Sequence, residues 1–244
     1  MQIITVAVIK GGTGKTTTAA ALAQAGAAAG KKILAIDLDP QANLSFFIGA
    51  KQNTFNSYQL LNGNNPINSI QHTEQKIDII AASPDLATEK TTPGSAKRLQ
   101  NAIEPLKKEY DFIFIDTPPQ MGELIFNALQ TSTGLLIPLE TDNSSLQGLY
   151  RITDIAKQMQ RSNPALKILG TILTRYDSRP RLNRYLKEAI IERGKEIKAP
   201  FLVGIRPSIA IREAQAMQKS LFDYAPKSKP AQDYKALFEM LQEV

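Results

Sequence analysis

The sequence predicts an α/β fold: a doubly wound, mostly parallel sheet with helices on both faces. Short apolar runs alternate along the chain with longer segments of helical periodicity. Several of the runs are apolar on both faces, the pattern of parallel strands covered by helices on either side. No internal repeat divides the 244 residues, a length that suits one large domain, so a single domain over residues 1–244 is expected.

Taken in order, Ile3–Ile9 reads as the first strand and starts almost at Met1, so no N-terminal helix-turn-helix domain is expected. Lys15–Ala29 is alanine-rich and helical, and Lys32–Ile36 returns as the second strand. The stretch from Ser45 to Gln75 is rich in Asn, Gln and Ser, and reads as a surface excursion with short helices. Then come strand Ile77–Ala81, helix Ser95–Tyr110, strand Phe112–Ile115, helix Glu123–Thr131 and strand Gly134–Leu139. Helix Ser144–Arg161, strand Ile168–Leu173, helix Arg181–Lys198 and strand Phe201–Gly204 follow. A closing helix over Pro230 to Val244 would set Tyr234, Leu237, Phe238 and Leu241 on its apolar face.

Composition excludes several classes. Hydrophobic residues make up 43%, enough for a sizeable core, yet no run is long enough to span a membrane. The N-terminus lacks the charged head, apolar run and cleavage site of a signal peptide, so a cytoplasmic protein is expected. With no cysteine there is no disulfide framework, iron–sulfur ligand or thiolate zinc site. The single histidine, His72, lies in a polar stretch and reads as a surface residue. The net charge of +6 is unevenly spread. Residues 1–150 carry 11 Lys and Arg against 13 Asp and Glu, whereas residues 151–244 carry 18 against 10. A basic C-terminal part suits either a polyanionic partner or simple solubility.

Ile9-Lys10-Gly11-Gly12-Thr13-Gly14-Lys15-Thr16-Thr17 follows the first strand and opens the first helix. Glycines there let successive N–H groups converge on phosphate oxygens at a helix N-terminus. Lys15 would reach the β- and γ-phosphates, and the Thr16 hydroxyl would bind Mg²⁺. The strict phosphate-loop pattern opens on a Gly that this chain lacks, and Lys10 enters the loop in its place beside Gly11 and Gly12. Two apolar strands then end in carboxylates: Ile36-Asp37-Leu38-Asp39-Pro40-Gln41, and Phe112-Ile113-Phe114-Ile115-Asp116-Thr117-Pro118-Pro119. A strand ending in Asp is the arrangement in which a carboxylate holds Mg²⁺ in nucleoside triphosphatases.

Lys-Gly-Gly-x-Gly-Lys-Thr-Thr resembles the deviant Walker A motif of the ParA/MinD family, and the resemblance covers most of the chain, least between Ser45 and Gln75. It implies an ATPase in which two protomers face each other across two ATPs, with Lys10 crossing to the partner's nucleotide. Cations supplied from both sides would favour closing only when two mutually repelling triphosphates are bound. The resemblance makes Asp37-Leu38-Asp39-Pro40-Gln41 the switch I segment, with Asp39 positioning the attacking water and Asp37 supporting the metal. It makes Asp116 the Walker B carboxylate, and Thr117 to Gly122 switch II. Lys10, Lys15 and Asp39 are thus the expected catalytic residues. Thr16, Asp37 and Asp116 are expected at the metal, and Gly11, Gly12, Thr13, Gly14, Lys15, Thr16 and Thr17 at the phosphates. Thr174 and the segment Arg206-Pro207-Ser208 fall where relatives line the adenine, although Arg and Pro are transposed from the family's Pro-Arg-Asn. Lacking a histidine or cysteine base, the chain is expected to hydrolyse ATP slowly until a partner stimulates it.

At about 100° per residue, Arg181, Arg184, Lys187, Lys195 and Lys198 share one side of the helix after Arg179, with Leu182, Leu186, Ala189, Ile190 and Ile197 opposite. Such a face suits a solvated helix or a phosphate-contacting stripe. The family resemblance favours the second, since Arg179 matches a DNA-surface arginine. A second such arginine aligns with Ala210, two residues from Arg212. The expected DNA contacts are therefore Arg179, Arg181, Arg184, Lys187 and Arg212. The implied protein is a partition ATPase that dimerises on ATP, binds DNA nonspecifically over the nucleoid and releases it when a ParB-like partner stimulates hydrolysis. A relative that positions a protein cargo would share this chemistry. A MinD-like membrane cycle fits less well, because the terminal Glu239–Val244 segment is acidic and anionic lipid would repel it. The nitrogenase-reductase branch needs cysteines, and the sequence-specific repressors need an added N-terminal domain.

Overall fold

The computed structural model describes residues 1–51 and 55–243. Val244, the end of the expected closing helix, and Gln52, Asn53 and Thr54 within the expected excursion lie outside the described residues.

The strands are β1 (Gln2–Val6), β2 (Ile33–Asp37), β3 (Ile70–His72), β4 (Asp78–Ile80), β5 (Phe112–Asp116), β6 (Gly134–Leu139), β7 (Lys167–Leu173) and β8 (Phe201–Gly204). They form one sheet in the order β3-β4-β2-β5-β1-β6-β7-β8. Every pairing is parallel except that of β3, which runs antiparallel to β4 at the edge. The helices are α1 (Lys15–Ala28), α2 (Asn43–Ile48), α3 (Ser57–Leu61), α4 (Pro66–Ser69), α5 (Arg98–Ile103) and α6 (Glu123–Thr131), followed by α7 (Asn143–Met159), α8 (Arg181–Ile197), α9 (Ile209–Ala216), α10 (Leu221–Tyr224) and α11 (Lys229–Gln242).

Side chains alternate across each central strand, and helices bury both faces. Ile4 and Val6 of β1, Ala35 of β2 and Phe114 of β5 pack with Leu22 of α1 and Leu237 and Phe238 of α11. The intervening Ile3, Leu34, Ile36, Ile113 and Ile115 pack on the other face with α5 and α6. Farther along that face, Leu135, Ile137 and Leu139 of β6 meet Ile152 of α7 and Ile190 of α8. The register of β2 and β5 sets Asp37 directly beside Asp116, and that of β1 sets Val6 beside Asp116. Two carboxylates therefore stand at the same sheet edge as the loop leaving β1.

Some elements depart from expectation. The predicted helix Ser95–Tyr110 is broken into a 3₁₀ turn at Ser95–Lys97, the short α5 and a second 3₁₀ turn at Glu104–Leu106. Pro105 in that last turn has no N–H to donate back along a helix. The predicted excursion contains an unforeseen edge strand, β3, besides its short helices. In α8, Leu182 is 64% exposed rather than on the core face, because the sheet beneath the helix is reached only from Leu186 onward. Gly194 is required there, since a Cβ would collide with the Ala199 carbonyl oxygen where the chain turns back from the helix.

Candidate active site

β1 ends at Val6, and the chain turns through Gly12 and Gly14 into α1. Both glycines are left-handed, with φ of 76° and 82°, a conformation that favours glycine. A Cβ on Gly14 would also press to within 3.2 Å of the Thr174 methyl group. Helix α1 has no acidic residue in its first turn and no side-chain cap, so its N–H groups and positive dipole end stay open to an anion. The loop's carbonyls are held instead. Lys15 Nζ donates to Lys10 O at 2.8 Å, Thr174 Oγ1 to Thr13 O at 2.9 Å and the Arg175 guanidinium to Gly12 O at 2.5 Å.

Lys15 is buried, and that burial lowers its pKa against the opposing pull of Asp116 and Asp39. Asp116 is fully buried, and neither of its carboxylate oxygens has a hydrogen-bond partner. Burial raises its pKa, the neighbouring Asp37 charge adds to the rise, and the Thr16 hydroxyl and Lys15 oppose it. Burial likewise lifts Asp37, to about 6. Asp37 is nonetheless well supplied with donors: Ser45 N at 2.8 Å, Ser45 Oγ at 2.7 Å and Asp39 N at 3.0 Å. It therefore braces the turn into α2. Asp39 is 8% exposed and accepts from Gln41 N at 3.0 Å.

Mg²⁺ binds one or two carboxylates together with phosphate oxygens and water, seldom an all-protein cage. A buried carboxylate with two unsatisfied oxygens, beside a threonine hydroxyl, fits that ion. Asp37 stands behind this pair with its oxygens already engaged.

Lys10 points away from its own loop. Its ammonium is bound by the carboxylate of Asp142, by Ser145 Oγ at 3.2 Å and more loosely by Glu140 at 3.9 Å. Asp142 caps α7 and Glu140 follows β6. Burial tends to raise the Asp142 pKa, but hydrogen bonds from Lys10, Ser145 and Ser144 outweigh it and hold the group at about 2. Asp142, Ser145, Glu140 and Arg175 were not singled out from the sequence, because their roles arise from contacts between distant segments.

Beside the loop lies a cavity of about 460 Å³ whose wall includes Gly14, Thr17, Thr174, Arg206, Pro207 and Ser208. The family resemblance expects Gly14 and Thr17 at the phosphates and Thr174, Arg206, Pro207 and Ser208 around the rest of the nucleotide. Asp233 of α11 accepts from the Arg206 backbone and guanidinium at 2.7–3.1 Å, which fixes that wall. Arg212, expected on the DNA surface, is exposed and also stands in the wall of this cavity. Lys187, expected in the same basic stripe, is instead half-buried over the rings of Tyr176 and Phe201, 5.4 and 4.9 Å from their centroids. Arg179, Arg181 and Arg184 remain exposed around the start of α8. Arg179 pairs with Asp177, and Arg184 donates to the carbonyls of Ser178 and Arg179.

A family model described as "AAA domain" matches residues 1–168. The chromosome partitioning protein ParA of Myxococcus xanthus is 36% identical, over 97% of this chain and 86% of that protein. The chromosome-partitioning ATPase Soj of Thermus thermophilus is 31% identical, over 94% and 91%. Among solved structures, cobyrinic acid a,c-diamide synthase from Mycobacterium smegmatis with ADP and magnesium gives a TM-score of 0.86 at 26% identity. That match covers 100% of this chain and 94% of the other.

Proposed function

The chain belongs to the ParA/Soj family of P-loop ATPases, and from that premise we propose that it is an ATP-dependent DNA-partitioning ATPase acting as one domain. ATP brings two protomers together, the dimer binds DNA without reading its sequence, and a ParB-like partner stimulates hydrolysis and release.

The observation that carries this reading is the opposite orientation of two lysines in one loop. Lys15 is turned inward and bonds the carbonyl of Lys10, whereas the Lys10 side chain leaves the cradle for Asp142. A cation on the outside of its own site suits a neighbour's triphosphate better than its own. Thr16 and Asp116 would hold Mg²⁺, and Asp37 would keep the turn carrying Asp39 in place. When bound, the metal neutralises charge on the β- and γ-phosphate oxygens. Asp39 then orients the attacking water, Lys15 steadies the γ-phosphate, and the cavity at Thr174, Arg206, Pro207 and Ser208 receives the base. None of these groups is a strong base, which supports slow turnover until a partner improves the geometry.

Arg179, Arg181 and Arg184 support the DNA contact. They gather at the positive end of the α8 dipole, with no acidic residue in its first turn; Asp177 pairs with Arg179, and a further anion would offset the remaining positive charge. The alternative of a membrane cycle is disfavoured by α11, whose Tyr234, Leu237, Phe238 and Leu241 are buried in the core rather than free for lipid. No helix among the described residues is long and apolar enough to cross a membrane. DNA binding titrated with ATP, ADP and no nucleotide at several salt concentrations tests the proposal. Binding that needs ATP and weakens steeply with salt is expected; equal binding with ADP, or none, overturns the DNA reading and leaves the ATPase standing.

A further inference from the structure

We propose that Arg175 is a positioning residue for the phosphate loop: it holds the Gly12 carbonyl outward so that the loop's N–H groups face the nucleotide. The proposal rests on the nucleotide-binding reading of that loop. Arg175 follows β7, and its guanidinium donates to Gly12 O at 2.5 Å and pairs with Glu140.

Several features separate this contact from an ordinary surface ion pair. Arg175 has φ of 51°, a left-handed conformation that long side chains rarely adopt. Its neighbours over-determine that conformation: Thr174 N donates to Leu139 O at 2.8 Å, and Tyr176 N to Ile205 O at 2.7 Å. The strained turn directs the guanidinium back across the sheet edge onto the loop. There it completes a set, since the carbonyls of Lys10 and Thr13 are already held by Lys15 and Thr174. A peptide whose carbonyl is tied on one side has its N–H on the other. With Gly12 and Gly14 both left-handed, the loop is pre-organised as an anion-binding concavity before nucleotide arrives. The Arg175 side chain is 61% exposed, so its removal should not open the core.

The test is binding of ADP to the full chain by calorimetry, with thermal melting of the same nucleotide-free samples. Arg175→Ala is expected to weaken ADP binding by about tenfold, the loss of one charge-assisted hydrogen bond. Its nucleotide-free melting temperature should stay within about 2 °C of wild type, as for an exposed ion pair. Arg175→Lys should recover part of the affinity, since it keeps the charge without the planar fork. Glu140→Gln should weaken binding less, and add nothing once Arg175 is gone. Wild-type affinity in Arg175→Ala, or loss of affinity matched by loss of nucleotide-free stability, overturns the proposal. If wild type itself fails to bind ADP, the nucleotide reading falls as well.

Discussion

The ammonium of Lys10 rests on the carboxylate of Asp142 in its own chain, with Ser145 completing the grip. Lys10 is the residue proposed to serve the partner's nucleotide, and on that reading this internal pair would compete with dimerisation. Asp142 is 42% exposed, and such a pair adds only about 0–1 kcal/mol to folding. Asp142→Asn should therefore leave the melting temperature nearly unchanged and shift ATP-dependent dimerisation to severalfold lower protein concentration. Sedimentation equilibrium with ATP measures this; unchanged or weaker dimerisation would show that the pair does not restrain Lys10.

The two lysines should separate binding from pairing. Lys15→Gln is expected to abolish ATP and ADP binding, because among the described residues no other side-chain ammonium enters the cradle. Lys10→Ala should retain ADP affinity within about threefold and lose both dimerisation and hydrolysis. Calorimetry and light scattering on the two variants distinguish these outcomes, and loss of ADP binding in Lys10→Ala would contradict the assignment.

Asp39→Ala should bind ATP and dimerise, yet lower hydrolysis at least about 100-fold, the loss of a group that orients the attacking water. The dimer should then persist in ATP long after the wild type has decayed. Normal turnover in this variant would remove Asp39 from the reaction.

Asp116 and Asp37 make the nucleotide-free chain sensitive to pH. Burial raises both pKa values, Asp37 to about 6. Between about pH 4 and 6 the folded chain thus binds more protons than the unfolded chain, and these groups reduce stability as pH rises through that window. Asp116→Asn removes a buried charge and should raise the nucleotide-free melting temperature at pH 7.5 by about 2–6 °C. The same variant should lose the extra stabilisation that Mg²⁺ gives with ATP. A destabilised Asp116→Asn protein would mean that the charge is satisfied without metal.

Around α8 the arginines and Lys187 should behave differently. Replacing Arg179, Arg181 and Arg184 by Ala should weaken DNA binding for every sequence and reduce the salt slope by about 0.9 per lost phosphate contact. Lys187→Ala should leave the slope unchanged, because that ammonium already lies over two rings. Fluorescence anisotropy across a salt series reads both, and equal effects would restore Lys187 to the DNA face.

The phosphate loop and the carboxylates Asp37, Asp39 and Asp116 were legible in the sequence because residue type and strand-end position coincide there. So were the central strands, whose runs are apolar on both faces. The edge strand Ile70–His72 was not, since three residues with one buried face at most carry no period. Helical arithmetic put Lys187 at nearly the right angle on α8, but it carries no information about the Tyr176 and Phe201 rings brought alongside. That Arg212 also stands at the cavity beside the loop was not legible for a related reason, since the position of α9 there depends on tertiary packing. The Lys10–Asp142 pair joins segments 132 residues apart, and nothing local to either announces it.

Helix α11 bears on how the chain is made. Its Phe238 ring lies 5.1 Å from that of Phe112, its Tyr234 lines the cavity beside Gly14, and its Asp233 fixes Arg206. A ribosome releasing this chain therefore exposes the first motif long before the last wall of its pocket exists. Until residues 229–242 emerge from the exit tunnel, the nascent protein carries the phosphate-loop residues without the helix that closes the cavity beside them.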